Sequence, residues 1–352
     1  MAKVLKVGVV GVGGIARIHM PGWAKSELAE VIAGSDVSEE ILQKWGKEND
    51  VTQLYSKVDD LFNDPDIDII DVCTPSAYHA PLSIAALKAG KHVICEKPLA
   101  PTPEEVKSMI AARDESGKYL MTAQHMRFHG TSQALKREID DGALGHVYHG
   151  RAWWLRRAGY PTRPSFWAKK YSGGGPCIDI GVHVLDLALW LMGNPKPVAV
   201  SGIASSQMSE KPGMFTAWGR GAVPEEHDVE DFAAGFVRFE NGATMIVETS
   251  WILNHDAPDG GRKIWLYGED GGLEWPEAKL VKSNYNTKQL YNIDLELVAD
   301  TEKPHSLECM EFAKAITEGA PSPVPAEQSL QVMQILDGIY RSSEAGGEVR
   351  IE

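Results

Sequence analysis

Three separated fragments carry the residue types that could do chemistry together. Gly11-Val12-Gly13-Gly14-Ile15-Ala16 lies near the start, Glu96-Lys97-Pro98 follows a later apolar run, and Asp179-Ile180-Gly181-Val182-His183 opens a helical pattern. Glycines ahead of a helix let backbone N–H groups approach a pyrophosphate, and the helix dipole favours its charge. An ammonium, a carboxylate and an imidazole match the needs of secondary-alcohol oxidation: a stabiliser for the oxygen, a base for its proton, and a group that orients them. The hydride acceptor would be a nicotinamide held through the first fragment. In this order the fragments predict a dinucleotide-dependent oxidoreductase.

The elements that must position them alternate through the first 125 residues. Val4–Val10, Ala29–Asp36, Ile67–Cys73, His92–Cys95 and Tyr119–Ala123 read as strands. Between them, Ala77–Ala89 has helical spacing before Gly90, and Thr102-Pro103-Glu104-Glu105 is a capping box opening a helix that stops at Gly117. Strands alternating with helices predict an α/β Rossmann domain over residues 1–125. Gly11, Gly13, Gly14 and Ile15 form the cofactor cradle, and Ala16 keeps helix and strand close. Asp36 ends the second strand, where a carboxylate accepts from ribose hydroxyls and repels a 2′-phosphate. No Lys or Arg follows in Val37-Ser38-Glu39-Glu40, so NAD is favoured over NADP, and Ser38 can cap the next helix. Lys97 falls at the carboxyl end of a strand, the side on which such sheets bind ligands.

Residues 126–352 read as an α+β domain. Val229–Phe239, Asn241-Gly242 and Ala243–Trp251 predict a hairpin with a type I′ turn. Lys263–Gly268 and Gly272–Trp275 flank another turn, and Ser206–Glu226 reads as a surface loop. Late helices around His305–Thr317 and Ala326–Ser342 can pack back on the first domain. The helix after Gly173-Gly174-Gly175-Pro176 is apolar on nearly every side except at Asp179, His183 and Asp186, which share one face. Ionisable groups on a buried helix must be paired or functional. A base near neutrality, a structural polar network and a metal site are the readings open for this stripe. It lacks the third ligand and open geometry of a zinc site, so no metal is expected.

A net charge of −14 repels nucleic-acid phosphates. No run of about 18 apolar residues suggests a membrane span. Met1 leads almost directly into a strand pattern without a cleavage site, and Cys73, Cys95, Cys177 and Cys309 are scattered. A cytoplasmic protein with reduced thiols is expected.

These motifs together resemble the Gfo/Idh/MocA oxidoreductase family. The resemblance rests on the N-terminal glycine segment, Thr74-Pro75-Ser76 with His79, Ala89-Gly90-Lys91-His92-Val93-Ile94-Cys95-Glu96-Lys97-Pro98, and Gly173-Gly174-Gly175 leading to Asp179, Gly181, His183 and Asp186. Pro323-Val324-Pro325 with Glu327 also resembles the family's penultimate segment. It implies a Rossmann domain plus an α+β domain with a large, mostly antiparallel open sheet, often used for homo-oligomerisation. It implies that His183 takes the hydroxyl proton, Lys97 holds the reacting oxygen, and Asp179 orients them. Thr74, Pro75, His79 and Glu96 would lie on the nicotinamide side. His125, in Gln124-His125-Met126-Arg127-Phe128, replaces a common asparagine near the cofactor, with Arg127 towards the substrate.

The segment Gly142–Ile178 contains no Asp or Glu and is rich in aromatic and basic residues. Aromatic faces suit sugar rings, and guanidinium groups suit hydroxyls or anions. A substrate-lining role for Trp153, Arg156 and Trp167 is expected, the alternative being a strand with core aromatics and a solvated basic loop. A sugar, glycoside or cyclic polyol fits, and an anionic derivative is possible. The competing functions are a redox glycoside hydrolase that retains NAD and a non-catalytic dinucleotide sensor.

Overall fold

The computed structural model describes residues 3–217, 221–256, 258–297 and 302–351. The chain forms two compact units, one of Met1–Phe128 with Thr301–Leu330, the other of His129–Asp300 with Gln331–Glu352. Sequence alone drew a single boundary after residue 125. The late helix Pro304–Glu318 belongs with the first unit, where Cys309, Phe312 and Ala313 share a core with Val7, Trp23 and Ile69. Gly22 permits that approach, since a Cβ there would lie 2.6 Å from the Ser306 Cα.

The first unit is built on six strands: β1 (Leu5–Val10), β2 (Ala29–Ser35), β3 (Gln53–Tyr55), β4 (Ile69–Val72), β5 (His92–Glu96) and β6 (Leu120–Ala123). They pair in parallel in the order β3-β2-β1-β4-β5-β6. This order reverses between β1 and β4, the point at which doubly wound sheets bind dinucleotides. β4 and β6 are buried at every residue and read as apolar runs interrupted only by Asp71 and Thr122. The capping box is complete: Glu105 N donates to Thr102 Oγ1, and Thr102 N donates to Glu105 Oε2, both at 3.2 Å. The expected helix 77–89 divides into a 3₁₀ turn at Ser76–Tyr78 and an α-helix over His79–Lys88.

The second unit contains β7 (Val147–Leu155), β8 (Pro197–Ser205), β9 (Phe215–Thr216), β10 (Gly221–Ala222), β11 (Phe232–Phe239), β12 (Thr244–Ser250), β13 (Arg262–Gly268), β14 (Gly272–Trp275), β15 (Lys279–Asn284), β16 (Gln289–Asp294) and β17 (Val349–Arg350). Nine of them form a sheet in the order β16-β15-β14-β13-β7-β12-β11-β8-β17, antiparallel apart from the parallel β7–β12 pair. The β11–β12 connection is not the expected type I′ turn. Gly242 has φ 85°, but Asn241 is not left-handed, and its Oδ1 accepts from Ala243 N at 3.1 Å. That local hydrogen bond selects a longer loop over the two-residue turn. Of the expected loop 206–226, residues 218–220 lie outside the described residues, and the rest carries β9 and β10 and buries Thr216 and Val223.

The glycine-rich turn leads into a π-helical turn, Cys177–Gly181, continuous with the α-helix Val182–Leu191. The run Lys169–Leu191 is long and apolar enough to cross a membrane by composition, yet 89% of its most apolar window is buried inside the protein. It is a core helix, apolar all round because protein surrounds it.

Candidate active site

The first unit presents an anion cradle at the carboxyl end of β1. Gly11 has φ 81°, and a Cβ there would come within 2.8 Å of Thr74 Cγ2 and 2.9 Å of the Cys73 carbonyl. A Cβ on Gly13 would meet nothing within 4 Å, so backbone faces open space there. The helix Ala16–Lys25 begins at Ile15 with no side-chain cap and no acidic residue in its first turn. Its free N–H groups therefore suit a phosphate. Thr74 Oγ1 is buried without a protein partner beside this turn. A pyrophosphate-bearing dinucleotide fits these residues. Asp36 holds the rim, its Oδ2 accepting from Val12 N at 3.0 Å and its Oδ1 from Ser38 N at 2.9 Å. Ser38 caps the following helix through Ile41 N.

His79 is a brace under this end of the sheet. Its ring is buried, with Nδ1 2.7 Å from the Pro98 carbonyl and Nε2 2.8 Å from the Thr74 carbonyl. It ties the loop after β4 to the loop after β5, and burial lowers its pKa. Both nitrogens are turned towards backbone, so its expected cofactor role is indirect.

Lys97, partly buried, follows β5, and beneath it lies an ionic cluster that sequence reading missed. His19 is fully buried with Asp71 Oδ2 3.0 Å from Nδ1 and Glu96 Oε1 3.0 Å from Nε2. A ring between two carboxylates donates from both nitrogens and is an imidazolium. Burial, the largest single influence, opposes that charge, but the surrounding groups together, Asp71 foremost, raise the His19 pKa well above its ordinary value. Burial likewise opposes ionisation of Asp71 and Glu96, and their partners together, His19 foremost, lower both pKa values. Trp23 Nε1 donates to Asp71 at 2.8 Å, and Glu96 Oε2 accepts from Lys97 N at 3.0 Å. Glu308 Oε1 lies 3.5 Å from His19 Nε2, and neither of its buried oxygens has a hydrogen-bond partner. Burial pushes its pKa well up, favouring the neutral acid. His19, Glu96 and Glu308 bring ligand atoms within 4.8 Å of one another, but an imidazolium has no lone pair for a metal.

In the second unit the helical segment 177–191 carries Asp179, His183 and Asp186. Asp179 Oδ2 accepts from Trp251 Nε1 at 3.1 Å. The His183 ring, only 6% exposed, lies 5.9 Å from the Trp154 ring. Glu230, buried, anchors the helix start: Gly175 N donates to Oε2 at 2.9 Å, Cys177 N to Oε1 at 3.0 Å, and Tyr340 Oη to Oε1 at 2.9 Å. Its pKa is raised by burial against the opposing pull of those donors. The glycines are required here by space, since Cβ atoms on Gly174 and Gly175 would fall 2.2 Å from Tyr340 Oη and 2.1 Å from the Glu230 carbonyl. Glu230 lies 55 positions from Gly175, Tyr340 110 from Glu230 and Trp251 72 from Asp179, and no motif marks them.

Four expectations shift. The aromatic ring beside His183 is Trp154, whereas Trp153 takes the opposite face of β7 and packs edge-on against Trp265 at 5.0 Å. Arg127 is 2% exposed and donates to Gln328 Oε1 at 2.5 Å, a buried position that the sequence did not give. Trp167 packs on the cluster around Tyr160, Trp251 and Ile252. His125 stacks on His305 with centroids 3.9 Å apart. Arg156 has its guanidinium 4.8 Å from the Trp154 ring and is electrostatically coupled to Asp179.

Residues 5–124 match the model of an oxidoreductase family with an NAD-binding Rossmann fold, and residues 132–274 match the GFO/IDH/MocA C-terminal domain. The chain belongs to the Gfo/Idh/MocA family. Within it, the chain is 29% identical to D-glucoside 3-dehydrogenase of Escherichia coli K12, over 99% of this chain and 97% of that one. It is 32% identical to levoglucosan dehydrogenase of Pseudarthrobacter phenanthrenivorans, over 70% and 67% of the two chains. A solved levoglucosan dehydrogenase in complex with NADH and levoglucosan superposes with a TM-score of 0.83 at 26% identity, covering 99% of each chain. The protein is thus an oxidoreductase with an NAD-binding Rossmann domain and the family's second, sheet-based domain.

Proposed function

We propose that this protein oxidises a secondary ring hydroxyl of a sugar, glycoside or cyclic polyol, using NAD. Bound NAD supplies the hydride acceptor at its nicotinamide. Lys97 Nζ hydrogen-bonds the reacting oxygen and favours its deprotonated form. The His183 imidazole takes the hydroxyl proton. Asp179, itself held by Trp251, orients the reacting groups. The observation that carries this reading is the buried helix start, where Asp179 and His183 lie one turn apart beside the Trp154 indole. An indole face beside a base suits the C–H face of a sugar ring. Relatives named as glucoside and levoglucosan dehydrogenases support the substrate class. The carboxylate at Asp36 supports NAD over NADP. Cytoplasmic residence and self-association complete the reading, supported by four free, buried cysteines and by exposed apolar residues such as Ile203 and Leu290.

The test is NADH absorbance with purified protein, NAD and a panel of monosaccharides, glycosides and inositols. Ring-hydroxyl oxidation produces NADH with at least one of them. Glycoside cleavage without net NADH, from protein that copurifies with NAD, would replace this reading with a redox glycoside hydrolase. NAD binding with no chemistry on any of them would leave a dinucleotide sensor.

A further inference from the structure

Two guanidinium groups share one indole beside the base assigned above. Arg262 opens β13 directly opposite Trp154 on β7, so the two side chains are cross-strand neighbours on one face. The Arg262 Cζ lies 5.4 Å from the Trp154 ring and 5.7 Å from the Trp275 ring, and the Arg156 Cζ lies 4.8 Å from Trp154. The third neighbour of that indole is His183, at 5.9 Å. All three cations or potential cations, and the ring they surround, belong to the second unit.

The described charges around this ring do not balance. Burial disfavours both guanidinium charges, and Arg262 adds repulsion to Arg156 while Asp179 relieves it. Asp179 supplies one negative charge against the two positive ones. Among the side chains that the structure describes, none with a carboxylate pairs with Arg262. Partly buried arginines elsewhere have such partners: Arg151 pairs with Glu248 at 3.2 Å, and Arg113 with Glu327 and Asp114 at 2.6 Å each. The absence of Asp and Glu from Gly142–Ile178 makes this the cationic part of a chain whose net charge is −14. Arg262 is half-buried, and a partly desolvated guanidinium gains from a ligand that brings the opposite charge. The imbalance is a single charge, which matches a carboxylate better than a doubly charged phosphate.

We infer that the substrate is a sugar bearing a carboxylate, a uronic acid or its glycoside, with Trp154 under the ring and Arg262 and Arg156 on the carboxylate. A planar guanidinium fork fits a carboxylate through two parallel hydrogen bonds. The inference rests on the dehydrogenase reading and narrows its substrate.

The test compares matched pairs, methyl glucoside with methyl glucuronide and methyl galactoside with methyl galacturonide, by initial rates of NADH formation. The better uronide should exceed its neutral partner in kcat/KM by about tenfold or more, the usual worth of one charge-assisted hydrogen bond. Arg262→Gln should reduce that preference to within about twofold, chiefly through KM, and Arg262→Lys should fall between, because it keeps charge without the fork. Rates on the neutral glycosides that equal or exceed those on the uronides overturn the inference and leave the dehydrogenase reading standing. Preference retained by both Arg262 variants overturns the assignment of the carboxylate to this site. NADH from no sugar, neutral or acidic, removes the dehydrogenase reading and this inference with it.

Discussion

The supports of Lys97 and of the Asp179–His183 helix differ in kind. Beneath Lys97 the protein uses full charges: Asp71 and Glu96 flank His19, with Trp23 and the Lys97 N–H completing the carboxylates. At the helix start it uses one raised-pKa acid, Glu230, with two backbone N–H groups and a phenol, plus an indole on Asp179. Buried opposite charges are tolerable only together, so removing one member exposes the rest to an uncompensated interior. Hydrogen bonds to backbone are individually weaker and fail more gradually. The first arrangement fixes a lysine in place at the cost of sensitivity to pH, while the second fixes a helix with little charge at stake.

The largest effect should come from the functional group itself. Lys97→Ala is expected to cut turnover on the order of 10³-fold, within the usual span for proton-transfer and oxygen-stabilising groups. NAD affinity, measured by fluorescence titration, should stay nearly intact, and unchanged turnover would remove its assigned role. His19→Leu should come next, costing about 3–5 kcal/mol because it strands two buried carboxylates. Urea unfolding measures it, and a loss no greater than that of an ordinary surface substitution would show that the cluster is not charged. Glu230→Ala should cost about 2 kcal/mol by leaving the Gly175 and Cys177 N–H groups and the Tyr340 hydroxyl without an acceptor. Glu230→Gln, which keeps an acceptor, should recover part of the loss and of kcat.

The smallest effect is a pH slope. Glu308 has a raised pKa, so the folded protein keeps a proton that the unfolded chain releases above its ordinary value of 4.5. Stability from this group falls as pH rises from there towards the folded value. His19 acts in the same direction higher up, contributing below its ordinary 6.5 and losing that contribution as pH rises through its raised value. Asp71 and Glu96, with lowered values, contribute above the ordinary carboxylate range and lose it as pH falls. Glu308→Gln should therefore flatten the stability profile on the rising-pH side by about 1 kcal/mol or more, one pKa unit being worth about 1.4 kcal/mol. An unchanged thermal-unfolding profile between pH 5 and pH 8 (the span in which most proteins are most stable) would mean that Glu308 is already ionised.

Much of this was legible in the sequence. Local signals survive folding because their partners lie within a few residues: the Gly11 turn, the Thr102 capping box and the Ser38 cap are formed as read. Alternation of strands and helices likewise fixed the first sheet, missing only the short β3. The type I′ turn failed because the Asn241 side chain offered its own backbone a competing hydrogen bond. The strand period of two places Trp153 and Trp154 on opposite faces, but it cannot say which face the helix covers.

What the sequence determined by itself was therefore a cradle, a lysine after a strand, and a helix bearing Asp179 and His183. Only tertiary structure decided that His19 meets Asp71 and Glu96, 52 and 77 positions away, and that Glu230 and Trp251 hold the Asp179–His183 helix. It also decided that Arg127 is core and that Arg262 faces Trp154. Backbone propensities and caps are short-range and written in adjacent residues. Charge compensation in a buried interior depends on which distant side chains meet there, and no spacing in the chain records that.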